Sequence, residues 1–261
     1  MRRLHLLELE DQPWFPAAIR DLATDYLQFI QSRFRLDRAM APLVRRALDD
    51  TGIRRIVDLC SGGSGPLGLL VTELAAGGME VRATLTDLYP NAPAFAEIAA
   101  ASNGRIDYER EPVDARDVPP RLAGLRTIFN GFHHLRPADA RRVLHAAAAA
   151  RQPIVVLELS ERSTRSLAVL LTPLAVWIAT PFMRPFKWRR LFWTYVLPLV
   201  PLTCLWDGVV SQLRAYTPAE LRELSAGAPA MRWEIGQLPI AKGHGRLTYV
   251  IGVPERSPAG S

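Results

Sequence analysis

The chain has 261 residues, 49% of them hydrophobic and 22% charged, which excludes a disordered protein and allows a full core without disulfide staples. The net charge is +6, yet arginines are scattered along the chain with no zinc-finger, RNP-like or helix-turn-helix pattern, so nucleic acid is not the expected partner. Cys60 and Cys204 stand in no metal-ligand spacing, so neither a metal site nor a disulfide is expected, and the compartment reads as cytoplasmic.

At the N-terminus, Arg2 and Arg3 give way to Glu8, Glu10 and Asp11 before an apolar run develops, which argues against a signal peptide. From Trp14 to about residue 50 the chain reads as helical. Ile19, Leu22, Tyr26, Leu27, Ile30 and Phe34 recur at three- and four-residue spacing, Pro16 suits a first turn, and a second helix carrying Leu43, Val44 and Leu48 ends near Gly52. This is an expected N-terminal helical cap, 1–50.

From Arg55 the pattern becomes strand, turn and helix, repeated. Expected strands are Ile56-Val57, Val81 to Thr86, Ile106 to Arg110, Arg126 to Asn130 and Pro153 to Glu158, with helices over Pro93 to Ala101 and Pro137 to Ala149. Alternation of this kind predicts a parallel sheet covered on both faces, here over 51–160. After a long apolar stretch (161–216), Thr217, Pro218 and Glu220 form a capping-box signature. Met231 to Ile235 and Arg246 to Val253 complete the core (217–261) as two final strands, and the tail from Pro254 is expected to fray.

The chemistry concentrates at strand ends. Asp58-Leu59-Cys60-Ser61-Gly62-Gly63-Ser64-Gly65 is a bend of small residues between a strand and a helix start. A glycine there lets a ligand lie on the backbone, and the N–H groups of the next helix favour an anionic end. Asp87 closes the second strand, where an acid can accept both hydroxyls of a ribose; it could equally cap a turn. Asp114 follows the third strand and Asn130-Gly131-Phe132-His133-His134 the fourth, while Glu158 ends the fifth.

In these segments the chain resembles class I S-adenosylmethionine-dependent methyltransferases of the small-molecule type. Asp58 to Gly65 looks like their first motif, Leu85-Thr86-Asp87-Leu88 like their second, Val113-Asp114-Ala115 like the segment that meets adenine, and Asn130 to Pro137 like the motif facing the methyl group. The resemblance covers about residues 50–160. It departs from acid-x-Gly-x-Gly-x-Gly in placing Cys60 at the first glycine and Ser64 at the third. It implies that Asp58 orders the bend and that Cys60, Ser61, Gly62 and Gly63 pass under the methionine part. Asp87 with Leu88 would hold the ribose side, and Asp114 with Ala115 the adenine. Asn130, Gly131 and Phe132 would border the sulfonium of S-adenosyl-L-methionine, whose product is S-adenosyl-L-homocysteine.

A sulfonium is already an activated leaving group, so alignment is the main task, with a base for any acceptor proton. His133 and His134 are the candidate bases, since imidazole titrates near neutrality; one of them could instead pack or cap the next helix. Glu158 is either a second polar group in the same crevice or a helix cap. Trp14, Asp207, Arg214 and Tyr216 could line an acceptor pocket, or else serve as docking and locking contacts.

Two apolar stretches, Ser166 to Met183 and Leu191 to Trp206, flank a basic turn carrying Arg184, Lys187, Arg189 and Arg190. Each is at or below the length that spans a bilayer and is interrupted by prolines. A lid over the acceptor, a peripheral membrane contact through 166–206 at the inner face of a membrane, and a homodimer interface all fit.

The expected fold is α/β: a Rossmann-like, seven-stranded, mostly parallel sheet with helices on both faces, an N-terminal helical cap and an apolar helical insertion after strand 5. The expected activity is methyl transfer to an oxygen or nitrogen, or carbon, of an apolar small molecule. A non-catalytic nucleoside-binding module of the same fold, or a membrane-attached protein anchored by the hairpin, are the alternatives.

Overall fold

A computed structural model describes residues 2–63, 66–240 and 245–255, with residues 164–166 described in backbone only. The expectations for Ser64, Gly65 and residues 256–261 of the tail lie outside the described residues; Pro254, expected to fray, pairs with Met231 at the end of the last strand, and Glu255 N–H donates to Ala230 O at 2.9 Å. The first half of the chain forms α1 (Ala17–Arg33), α2 (Leu36–Thr51), β1 (Arg55–Asp58), α3 (Leu67–Ala76), β2 (Arg82–Leu85), α4 (Ala92–Ala101), β3 (Ile106–Tyr108) and β4 (Leu125–Phe129). The second half forms α5 (Pro137–Ala149), β5 (Ile154–Glu158), α6 (Thr172–Ala179), α7 (Trp188–Leu191), α8 (Leu199–Arg214), α9 (Pro218–Ser225), β6 (Met231–Pro239) and β7 (Arg246–Pro254). They divide into two units. One joins the residues up to Phe34 with Ser160–Tyr216; the other joins Arg35–Leu159 with the chain from Thr217 onward.

The second unit holds a seven-stranded sheet in the order β3-β2-β1-β4-β5-β7-β6. β1 to β5 pair in parallel, and β7 runs antiparallel to β5 and β6. Every residue of β4 and β5 is buried, as befits central strands covered on both faces. α2 packs on one face through Met40, Leu43, Val44, Ala47 and Leu48, together with Leu67, Leu70 and Leu74 of α3 and Phe95 of α4. α2 therefore belongs to the sheet unit and not with α1. The break comes at Arg35, which adopts a left-handed conformation (φ 50°) between two runs of helical spacing. Gly52 ends α2 at φ 71°, and Thr217 and Glu220 make the expected reciprocal capping box on α9.

The first unit has its own core of Phe15, Ile19, Leu22, Tyr26, Val176, Val200 and Cys204, among others. Leu27 and Phe34, expected on the same face, are exposed instead. So is Trp14, while its neighbour Phe15 is the buried anchor. The N-terminal strap is tied to α8. Leu4 N–H donates to Leu213 O (3.0 Å), Trp206 Nε1 to Leu7 O (2.9 Å) and Arg214 Nε to Leu6 O (2.7 Å). Asp207 accepts from Leu9 N (2.6 Å) and Glu10 N (3.0 Å). Arg214 pairs with Glu8 at 3.2 Å and Asp11 at 3.0 Å, and Arg3 lies 4.1 Å over the Tyr216 ring. Asp207, Arg214 and Tyr216 thus act as locks, and what they lock is the strap.

Glu8 and Arg214 side chains are both almost fully buried. Arg214→Met breaks this buried pair and should cost about 3–5 kcal/mol in urea denaturation; adding Glu8→Gln should recover part of the loss.

Candidate active site

The bend after β1 is built on one buried carboxylate. Asp58 Oδ1 accepts from Thr127 Oγ1 of β4 (2.6 Å) and Oδ2 from Ser61 Oγ (2.7 Å). Its backbone oxygen accepts from Thr86 N (2.9 Å) and Thr86 Oγ1 (2.8 Å), and Ser61 N returns a bond to Thr86 O (3.0 Å). One acid therefore ties the tips of three neighbouring strands. Burial pushes its pKa up to about 7; the Thr127 and Ser61 hydroxyls oppose this rise and Asp87 adds to it.

The chain then turns through two left-handed residues, Cys60 (φ 57°) and Gly62 (φ 59°). Cys60 sits where the resemblance expects glycine because that position needs a left-handed backbone, and here a cysteine bears the strain, about 1–2 kcal/mol. Gly62 is exposed, and a Cβ placed on it would meet no protein atom within 4 Å. Its N–H donates to Asp87 Oδ2 at 2.8 Å, and Asp87 Oδ1 accepts from Tyr89 N at 2.8 Å. Each Asp87 oxygen keeps a second lone pair for another donor. Leu88 is partly exposed beside it, as is Gly63 beside Gly62.

The remaining motif residues divide in two. Asn130 is left-handed (φ 50°), and its Oδ1 accepts from Leu159 N (2.7 Å), joining the ends of β4 and β5. A Cβ on Gly131 would lie 3.1 Å from Cys60 Cβ, a tight approach that glycine relieves where the β4 end passes the β1 bend. Phe132 is fully buried, so its side chain is core and cannot border a sulfonium; its N–H donates to Glu158 Oε1 at 2.6 Å. Glu158 Oε2 lies 2.6 Å from His133 Nδ1, and both side chains are buried. Glu158 is thus a cap and a histidine partner at once. His134, partly exposed, stacks on His133 with ring centroids 4.3 Å apart.

Asp114 differs from expectation. Arg116 grips its carboxylate through Nε (2.9 and 3.0 Å), Nη2 (2.6 Å) and its own backbone N–H (2.8 Å), and is itself held by Asp139 (2.8 Å). That hydrogen bonding keeps Asp114 below the usual carboxylate range. An adenine amine would have to share an acid already engaged; Ala115 beside it is buried. Thr127, Thr86 and Arg116 are participants the sequence did not single out. A threonine opposite the motif acid on the neighbouring strand is the one signal that could have found Thr127.

Cys60 senses the charge of this region. Burial, followed by Asp87, Asp58, Asp114 and Glu158, pushes its thiol up to about 12. Two cavities of this unit, about 970 and 720 Å³, are lined by residues such as Asp50, Arg151 and Arg232, or Arg55, Glu80 and Arg82, at the amino ends of strands. No motif residue lines either.

No family model matches the chain, and no curated protein matches it. Solved structures do. A Nostoc punctiforme protein assigned to the O-methyltransferases is 14% identical, with 96% of this chain and 64% of that chain covered, at a TM-score of 0.53. The CurJ carbon methyltransferase is 12% identical, covering 84% of this chain and 54% of its own, at a TM-score of 0.50. This chain has the methyltransferase fold. Human N-acetylserotonin methyltransferase, solved with S-adenosylmethionine, is 15% identical, with coverage of 90% and 57% and a TM-score of 0.49. The chain spans 54–64% of the length of these three structures.

A native Asp58 pKa near 7 lies above the unfolded value of about 4. The folded state then holds a proton the unfolded chain has lost, so stability falls as pH rises from about 4 to 7. Asp58→Asn should remove that part of the slope, at most about 4 kcal/mol, in denaturation series below and above this window. An unchanged slope would assign it elsewhere, as to Glu10, which burial pushes to about 8.

Proposed function

We propose that this chain is an S-adenosylmethionine-dependent methyltransferase acting on a hydrophobic small molecule. The observation that carries the reading is the 2.8 Å bond between Gly62 N–H and Asp87, which brings the open glycine and the acid together at adjacent strand tips. The sheet order, with one antiparallel strand beside β5, and the fold shared with an O-methyltransferase and a carbon methyltransferase support it. Oxygen, nitrogen and carbon acceptors all remain open to it.

The residues fit the cofactor at the bend and at the ribose. Gly62 gives a backbone surface without a side chain, and Asp87 has lone pairs for two hydroxyls. Bound there, the cofactor supplies an activated methyl group. The chain's own task is then alignment and proton removal. Glu158, 2.6 Å from His133 Nδ1, orients the ring of this candidate base. His134 stacked beside it holds the ring plane.

Calorimetry with S-adenosylmethionine tests the cofactor site. Asp87→Ala should weaken binding at least about tenfold, since each lost charge-assisted bond is worth about 1.5–3 kcal/mol. Gly62→Ala meets no neighbour and costs only the strain of a left-handed alanine, about 1–2 kcal/mol, so it should still fold, yet lose affinity. Unchanged affinity in both would refute the assignment. With a turned-over acceptor in hand, His133→Ala should lower kcat while leaving cofactor affinity intact. Binding without turnover on any acceptor would favour a nucleoside-binding module instead.

A further inference from the structure

Residues 162–206 hold six basic side chains (Arg162, Arg165, Arg184, Lys187, Arg189 and Arg190) and no acid, so the rest of the chain is neutral overall and this segment carries the whole net charge of +6. The same segment carries apolar side chains outward. Leu167, Leu171, Leu174, Ile178 and Phe182 are exposed at three- and four-residue spacing, while Val176, Ala179 and Met183 face the unit's core. A second exposed row, Phe192, Tyr195, Leu199, Leu202 and Trp206, follows the same spacing. A helix of a water-facing unit ordinarily turns polar residues outward; these are apolar on both sides.

Between the two rows lies a turn that alternates ring and charge. Phe182 is 67% exposed and Trp188 77%, with Phe186 meeting Trp188 edge-on at 5.0 Å. Arg184 and Arg189 are exposed beside them. Asp25 takes Lys187 and Arg190, each at 2.7 Å, so those two hold the turn in place while Arg184 and Arg189 point their charge outward. The face also opens into an apolar cavity of about 520 Å³ within the same unit, lined by Phe15, Ile19, Leu170, Leu202 and Trp206 among others. No single helix among the described residues is long and apolar enough to cross a bilayer; α7 with the turn after it meets α8 at a 75° bend.

We propose that this face docks the protein on an anionic lipid surface, with the aromatic side chains at the acyl boundary and Arg184 and Arg189 at the headgroups. Tryptophan and tyrosine favour that boundary, and each arginine near an anionic surface adds about a fivefold gain in affinity. A flat apolar interface with a second copy would not need the segment to be free of acids, whereas a surface of one sign does. The cavity gives acyl ends a place to settle. The proposal is independent of methyl transfer, because vesicle binding requires neither cofactor nor acceptor.

The test is sedimentation of the whole chain with vesicles of phosphatidylcholine alone and of phosphatidylcholine mixed with phosphatidylglycerol. The chain should bind the mixed vesicles, less so as salt rises. Arg184→Gln with Arg189→Gln should bind about 30-fold weaker. Trp188→Ser, at a side chain too exposed to disturb folding, should bind roughly tenfold weaker. Failure to bind mixed vesicles, equal binding to both vesicles, or a stable dimer in ultracentrifugation that Trp188→Ser dissociates would each overturn it.

Discussion

The site depends on a single buried carboxylate. Asp58 reaches Thr127 on one side and, through the bend, Ser61 and Thr86 on the other, so three strand tips share one hydrogen-bond centre. The Asp58 carboxylate adds side-chain bonds to a bend already tied by the backbone bonds Leu59 N to Thr127 O and Ser61 N to Thr86 O, between which Cys60 takes its left-handed conformation. The cost is a charge removed from water, which the protein meets by raising the Asp58 pKa toward neutrality. Gly131 follows from the same arrangement: with Cys60 between β1 and β4, a side chain at the crossing residue would come within 3.1 Å of the Cys60 Cβ.

The chain separates its charges. Around the bend, Asp58, Asp87, Asp114 and Glu158 act together on Cys60. In the other unit, the charged side chains in the 45 residues from 162 to 206 are all positive. The proposed cofactor site uses Asp87 of one unit, and the proposed lipid-docking face uses the positive, apolar segment of the other; each unit has its own hydrophobic core.

Much of the fold was legible because the sheet unit follows simple periodicities. Buried runs such as Ile154 to Leu157 read as strands, Thr217 and Glu220 announced a helix start, and Gly52 a helix end. Two helices were legible before β1, but not the place of the break or that α2 belongs with the sheet, since Arg35 is a left-handed residue with no glycine or asparagine to signal it. The bend and its acid could be read from spacing alone. The sealing of Asp114 by Arg116 could not, because Asp-x-Arg is common and only geometry shows a bidentate grip. Nor could the burial of Phe132, whose neighbours on both sides are polar or small. Asp207, Arg214 and Tyr216 looked like pocket residues because polar groups next to an apolar run attract that reading; their partners are the N-terminal strap, distant in sequence.

The most direct measurement is a crystal structure of the whole chain grown with S-adenosylhomocysteine. The account predicts a nucleoside whose ribose hydroxyls meet Asp87 and whose amino-acid end crosses Gly62. Density for it in either cavity at the amino ends of the strands, or crystals that stay empty at saturating concentration, would contradict the account.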